Sequence, residues 1–361
     1  MSIPSDPEPV LDSREIAHGG DEPENSSLAD ATEQPPAKKR RRWLRVTLWS
    51  LVVLAVIAGG TLIALRLYVK SVENKVTRVD AFAEVVESER PTKPAEATKA
   101  MNILILGSDS RNPDVDGSRT DTIMLAHVTA DHSSAQVVSI PRDTWLDIPR
   151  SANGHGGVKA KINAAFAWGG IPLMVRTVEQ YTKVRIDHVV VIDFAGFAQV
   201  VDALGGIEVN VEKDFTSIHP PYRKFKAGMQ HLDGTEALDY ARQRKQFADG
   251  DFARIKHQQQ VIKAILTKAT SAGILTDPGK LNDFLKATAS AISADKKFDL
   301  FGTAMDLRGI SSSKIRFITN PTTGTGWEGS QSVVYANKSV AATLFDAINK
   351  DTAATWQPSK S

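Results

Sequence analysis

The sequence predicts a layered α-β-α domain, built on a central mixed β-sheet and preceded by one transmembrane helix. Three observations carry that expectation. First, Val46 to Leu65 is a 20-residue run without a charge, dominated by Leu, Val, Ile and Ala. At about 1.5 Å per residue it matches a hydrocarbon core of about 30 Å. Second, beyond residue 100 short β-branched runs alternate with segments of helical period, the order that builds a layered α/β domain. Third, the 361 residues are 42% hydrophobic and 24% charged with 24 Gly and 17 Pro. That composition excludes collagen-like and wholly disordered chains. The chain has no cysteine, which removes disulfide frameworks, thiolate metal sites and cysteine nucleophiles without fixing a redox compartment.

The net charge of +2 averages segments of opposite character. Residues 1–37 carry nine acids against Arg14, or −8, and little that could form a core, so they read as a disordered tail. Lys38-Lys39-Arg40-Arg41-Arg42 with Arg45 adds +6, which leaves +4 for the remainder. Trp43 and Trp49 flank one end of the apolar run and Tyr68 the other, where amphipathic rings favour the interface. With the basic cluster on the N-terminal side, the positive-inside rule keeps the N-terminus cytoplasmic and sends the rest of the chain outside. A cleaved signal peptide fits less well, because the apolar run is long and the tail before it is long and acidic. The cluster could be read as nucleic-acid binding, but beside an apolar span it sets topology. The expected organisation is a cytoplasmic tail with basic cluster (1–42), a membrane signal anchor (43–67), a stalk helix and linker (68–99) and an extracytoplasmic domain (100–361). The stalk rests on valines 69, 72, 76 and 79 at helical spacing, closed by Pro91-Thr92-Lys93-Pro94.

Within the domain, Asn102–Gly107, Thr122–Val128 and Ala135–Ile140 are short, apolar and β-branched, and read as strands. Asn163–Trp168 and Pro172–Tyr181 read as helices separated by a Gly169-Gly170 stop. His188–Asp193 is a strand, Phe194–Leu204 a helix stopped by Gly205-Gly206, and Ile207–Val211 a strand. Asp233–Ala241 is a helix with Asp233 as N-cap. Arg254–Thr270 and Leu281–Ala294 are helices, Lys314–Thr319 a strand and Ser339–Asn349 a last helix.

Charged groups sit where three of these strands meet their connections. Asp109 leaves the first, Arg119 and Asp121 enter the second, and Arg142 leaves the third. If the short connections form an antiparallel meander, all four converge on one end of the sheet. Two carboxylates beside two arginines suit a divalent cation such as Mg²⁺ together with a phosphate-type anion. Surface salt bridges at strand ends are the plainer reading. A second basic group follows in Tyr240-Ala241-Arg242-Gln243-Arg244, whose arginines would share a face in an extended segment. Arg254 and Gln258 share a helix face near a helix N-terminus, where anions are favoured. HExxH, GxSxG and Walker A patterns are absent. His127, His155 and His188 read as packing or surface groups.

These stretches, taken in order, resemble the LytR-CpsA-Psr family. The matching segments are Asn102-Ile-Leu-Ile-Leu-Gly-Ser-Asp-Ser-Arg111, Arg119-Thr-Asp-Thr-Ile123, Ser139-Ile-Pro-Arg-Asp-Thr144 and Lys161-Ile-Asn-Ala-Ala-Phe166. Val201-Asp-Ala-Leu-Gly-Gly-Ile207, Tyr240-Ala-Arg-Gln-Arg244 and Gly250-Asp-Phe-Ala-Arg254 with Gln258-Gln259 continue the set over roughly residues 100–270. The resemblance implies an extracytoplasmic phosphotransferase that moves a secondary cell-wall glycopolymer from a polyprenyl-pyrophosphate donor to peptidoglycan, forming a phosphodiester, with Mg²⁺ assisting. It also implies a pyrophosphatase side activity in some members and an apolar cavity for the lipid. By motif position, Asp109 and Asp121 would hold the metal. Arg119, Arg142, Arg242 and Arg244 would bind pyrophosphate, with Lys161, Asp251, Arg254 and Gln258 completing the polar shell. Asp121, Arg119 and Arg142 would be the catalytic set, and the general base stays open between Asp121 and Asp109. Two alternatives remain: a polyprenyl-pyrophosphate hydrolase on the same site, and a non-enzymatic membrane-anchored cell-wall regulator. A nucleic-acid partner is not expected, since the domain lies outside the membrane and the tail is acidic.

Overall fold

The computed structural model describes residues 39–108, 120–270, 274 and 277–358. The chain divides into two compact units, one ending at Thr61 and one comprising Leu62–Ser361. The first described element is α1 (Lys39–Glu73), which leads into β1 (Thr77–Val79). A meander follows, β2 (Met101–Ser108), β3 (Thr120–Val128) and β4 (Ala135–Ser139), then a hairpin of β5 (Trp145–Ile148) and β6 (Val158–Lys161), and α2 (Asn163–Thr182). β7 (His188–Asp193) and α3 (Phe194–Ala203) precede four short strands, β8 (Ile207–Val211), β9 (Phe215–Thr216), β10 (Lys224–Phe225) and β11 (Gly228–Leu232). The chain continues through α4 (Gly234–Arg242), α5 (Asp251–Ala269), α6 (Pro278–Ala291), β12 (Ile292–Asp295), α7 (Leu300–Leu307) and β13 (Ile315–Thr319). It closes with a hairpin of β14 (Thr322–Glu328) and β15 (Gln331–Ala336), and α8 (Lys338–Asn349).

The central sheet has seven strands in the order β1-β12-β7-β2-β3-β4-β13. β2 and β7 are parallel, β3 is antiparallel to both β2 and β4, and β4 and β13 are parallel. Strands β7, β2, β4 and β13 therefore run the same way, and their C-terminal ends share one edge. Period-two alternation divides the strand residues between two faces. Leu104, Leu106, Ile123, Leu125, Val138 and Val189 join α2 and α8 in one core layer. Ile103, Met124, Ala126 and Val137 join α6 and α7 in the other. A third cluster packs α3, α4 and α5 against the β8–β11 pair. The expected mixed sheet between helical layers is thus what forms.

Local signals set most element ends. Asp233 caps α4 in a capping box with Glu236, which satisfies donors that the helix cannot. α2 is broken at Gly169-Gly170, where Gly170 has φ 60°, so the two helices read from the sequence are both present. α5 begins at Asp251, behind Gly250 with φ 53°. It starts one turn earlier than its periodicity suggests, which places Arg254 inside the first turns.

Three expectations are corrected. The helix that leaves the apolar run ends at Glu73 and does not continue as a stalk to residue 90. Asn74 and Lys75 close it in a turn, and Thr77–Val79 pairs in parallel with Ser293–Asp295 at the sheet edge. Val72 and Val76 are buried in the domain core, Tyr68 Oη donates to Asn282 (3.0 Å) and the Phe301 N–H donates to Glu73 (2.9 Å). The folded domain therefore starts well before residue 100. The helix expected over 281–294 ends at Ala291, because Ile292–Asp295 is the strand between β1 and β7. Residues 240–242 are the end of α4, so Arg242 and Arg244 do not share an extended strand. Among the described residues one helix, Thr47–Glu73 within α1, is long and apolar enough to cross a membrane.

Candidate active site

The meander does what hairpin connectivity requires. Thr120 lies opposite Ser108, and Met124 opposite Ser139, so the start of β3 and the end of β4 meet at one edge. Asp121 and Arg142 are directly paired there, Arg142 Nη1 donating to Asp121 Oδ1. Asp109 and Arg119 lie outside the described residues. Thr120 is fully buried and its hydroxyl donates to the Gly107 carbonyl at 2.9 Å, which fixes the backbone before Asp121.

The first turns of α5 bring the remaining charges to this edge. Arg254, only 6% exposed, reaches Asp251 at 2.5 Å and Asp121 at 3.8 Å. Arg142 and Arg244 each lie 3.9 Å from the same Asp251 oxygen. Lys161, from the end of β6, pairs with Asp143 at 3.0 Å, and Asp143 lies 3.7 Å from Arg142. One carboxylate oxygen thus sits among three guanidinium groups. Gln258 lies one turn further along α5 and is half-buried. Gln259 donates to Ser139 Oγ at 2.9 Å and ties α5 to β4. Arg242 stands apart, its guanidinium 4.6 Å over the Phe194 ring at the end of β7.

The electrostatics of this cluster are incomplete. Both oxygens of Asp251 and the Nε atoms of Arg142 and Arg254 are buried without a well-directed hydrogen bond among the described residues. Such groups are costly to leave unsatisfied. Burial pushes the Asp251 carboxyl above its ordinary value, although Arg254, Arg142 and Arg244 pull it down. Burial also lowers Arg254, against the pull of Asp251 and with the help of Arg142. Burial works against the Arg142 charge as well, but Asp121, Asp143 and Asp251 outweigh it and its pKa rises. The hollow lined by Arg142, Lys161, Arg244, Asp251, Phe252 and Val334 has a volume of about 780 Å³.

Most of the residues singled out in the sequence are brought together: Asp121, Arg142, Lys161, Arg244, Asp251 and Arg254. Arg242 and Gln258 lie on the same elements without joining the ion-pair cluster among the described contacts. Asp143 and Gln259 had been given no role. Their signal was adjacency: Asp143 follows Arg142 directly, and Gln259 follows Gln258.

Fold and site together define a class: an α/β protein that gathers arginines and carboxylates at the carboxyl ends of its strands, where open α/β sheets bind ligands. Comparison with known proteins makes the class particular. The pattern of the LytR_cpsA_psr family matches residues 65–349, and the chain belongs to this family. A "polyisoprenyl-teichoic acid–peptidoglycan teichoic acid transferase TagU" from Bacillus anthracis is 33% identical over 264 residues, covering 71% of this chain and 82% of that protein. The crystal structure of B. subtilis TagV superposes with a TM-score of 0.61 at 28% identity, over 70% of this chain and 97% of that one. B. subtilis TagU superposes with a TM-score of 0.52 at 28% identity, over 72% and 100% respectively. The chain is accordingly a transferase of the LytR-CpsA-Psr family.

Proposed function

We propose that the protein transfers a cell-wall glycopolymer from a polyprenyl-pyrophosphate donor to peptidoglycan. The observation that carries this reading is the gathering of Arg142, Arg244 and Arg254 around one Asp251 oxygen, with the Nε–H donors of Arg142 and Arg254 buried and without an acceptor among the described residues. Guanidinium forks match phosphate oxygens, and a pyrophosphate entering the hollow would supply the acceptors that the cluster lacks. In the reaction, an acceptor hydroxyl oxygen forms a bond to the sugar-side phosphorus while the bridging P–O bond breaks. Polyprenyl phosphate departs with the electron pair, and the hydroxyl proton passes to a carboxylate of the pocket. The arginines stabilise the charge that moves onto the leaving phosphate, a positioned electrostatic effect in a largely buried site. Water in place of the acceptor hydroxyl would give the pyrophosphatase side reaction.

The donor set also suits Mg²⁺. Asp121 is the most exposed carboxylate of the cluster, and this ion is commonly held by one or two carboxylates plus phosphate and water. Asp121, together with Asp109, would hold it, and it would supply charge neutralisation at the transferring phosphate. α1 would anchor the chain in the cell membrane, its basic N-terminal flank keeping the tail cytoplasmic and the catalytic domain outside.

The test uses the full chain in detergent with a polyprenyl-pyrophosphate-linked glycopolymer and peptidoglycan, and reads released polyprenyl phosphate and the phosphodiester product. Arg142→Ala or Asp121→Ala should lower turnover by about 100-fold or more with the fold intact. Full activity in either variant would overturn the site assignment.

A further inference from the structure

Beyond the arginine cluster the domain carries a groove whose chemistry differs from that of the pocket it adjoins. Its floor is the outer face of the β5–β6 hairpin. Leu146, Ile148 and Ala160 turn inward and are buried. Alternation then places Trp145 and Asp147 on the outer face, opposite Lys161 and Lys159 in the antiparallel register. Its wall is the β14–β15 hairpin, tied down where the Val334 N–H donates to the Asp143 carbonyl at 2.9 Å.

Three hollows follow one another along this floor. The pocket at Arg142, Asp143 and Lys161 shares those residues with a second hollow of about 400 Å³, which adds Trp145, Trp168 and Gln331. That hollow shares Trp145 and Lys159 with a third of about 700 Å³. In the third, Asp147, Glu328 and Asp346 face Lys159, Lys183 and Lys338, and Tyr335 and Tyr181 supply aromatic surface. Charge therefore changes along the path, from a cluster of guanidiniums to equal numbers of acids and lysines around aromatic rings.

We propose, resting on the transferase reading above, that this groove holds the acceptor, a peptidoglycan strand. A sugar ring packs on the half-buried Trp145, beside the reacting phosphate, and the attached stem peptide occupies the mixed-charge cavity beyond it. Aromatic faces offer large apolar contact to the C–H faces of sugars, and a few placed polar groups fix orientation. A peptide that carries both amino and carboxylate groups is complementary to paired acids and lysines. A phosphate-bearing donor chain finds no excess of positive charge there, because Asp147, Glu328 and Asp346 balance the three lysines. Continuity with the pyrophosphate pocket puts an acceptor hydroxyl within reach of the phosphorus, which is the orientation that turns binding into rate.

The test is steady-state transfer by the full chain, with peptidoglycan fragments that retain or lack their stem peptides. Trp145→Ala should raise the acceptor KM by about tenfold or more, leave donor KM and water-dependent polyprenyl phosphate release unchanged, and be largely rescued by Trp145→Phe. Because Trp145 also touches the core, Lys159→Glu at an exposed position provides a second reading. It should raise KM for peptide-bearing fragments and leave that for peptide-free fragments unchanged. Unchanged acceptor KM in both variants overturns the proposal, and so does a raised donor KM, which would assign the groove to the donor glycan. Should the wild type release no polyprenyl phosphate, the transferase reading fails. Calorimetric titration of a peptide-bearing fragment into wild type and Lys159→Glu then still decides the groove, with equal or absent binding counting against it.

Discussion

Two buried arginine–carboxylate groups lie at opposite ends of the central sheet, and they are built to different standards. At the N-terminal ends of β2 and β7, Glu179 accepts from Arg90 Nη2 at 2.8 Å, from Arg90 Nε at 3.1 Å and from the Ile186 N–H at 2.9 Å. Arg90 also donates to the Ile186 carbonyl and stacks 4.8 Å over Phe82. At the C-terminal ends, Asp251 has three guanidiniums within 3.9 Å and no well-directed hydrogen bond to either oxygen among the described residues. The first pair is completed by the protein and holds the linker after β1 against α2. The second concentrates like charge and leaves the Nε–H donors of Arg142 and Arg254 without an acceptor among the described residues. A completed buried pair signifies architecture, and an uncompleted one with excess cation signifies a place for an anion.

The contrast breaks if the two pairs respond alike. The largest expected effect is on turnover. Asp251→Leu combined with Arg254→Met should lower transfer by about 100-fold or more, yet leave stability near or above the wild type. Replacing a poorly satisfied buried ion pair by apolar groups is often neutral or stabilising. Glu179→Ala should do the reverse. It leaves the buried Arg90 with only the exposed Glu87 as a carboxylate partner, at a cost of about 3 kcal/mol, read as a lower midpoint in urea, while turnover per folded molecule stays near the wild-type value. A double variant that unfolds as easily as Glu179→Ala would show that Asp251 and Arg254 are architecture as well.

A smaller effect sharpens the same point. Asp251 has its pKa raised by burial above the ordinary 3.8, so between that value and its folded pKa the native state binds more protons than the unfolded chain. Stability from this group is full below about 3.8 and is lost as pH rises through the folded pKa. Asp251→Asn should therefore flatten the decline of stability with rising pH above 3.8. A steeper decline in the variant would contradict the sign.

The sequence made the charged edge legible for a simple reason. Short connections between β-branched runs force a meander, and a meander puts Asp121 beside Arg142 whatever else the chain does. Helical spacing likewise located Arg254, although α5 starts at Asp251. Periodicity failed where tertiary pairing overrides it. Valines 72, 76 and 79 read as one helix stripe, but a turn at Asn74 separates the buried Val72 from a strand that completes the sheet edge. Ile292–Asp295 is too short for period to distinguish strand from helix end. It forms a strand because β7 and β1 flank it, with Asp295 accepting from the Val189 N–H at 3.0 Å. The groove between the β5–β6 and β14–β15 hairpins was invisible for the same reason, since its floor and wall are far apart in sequence and share no pattern.

The central claim is that the arginines around Asp251 hold a pyrophosphate. Its most direct test is calorimetric titration of inorganic pyrophosphate, with Mg²⁺ present, into the full-length protein. Saturable binding by the wild type is expected, retained by Glu179→Gln and lost with Arg254→Met. Absence of binding to the wild type, or equal binding to Arg254→Met, would contradict it.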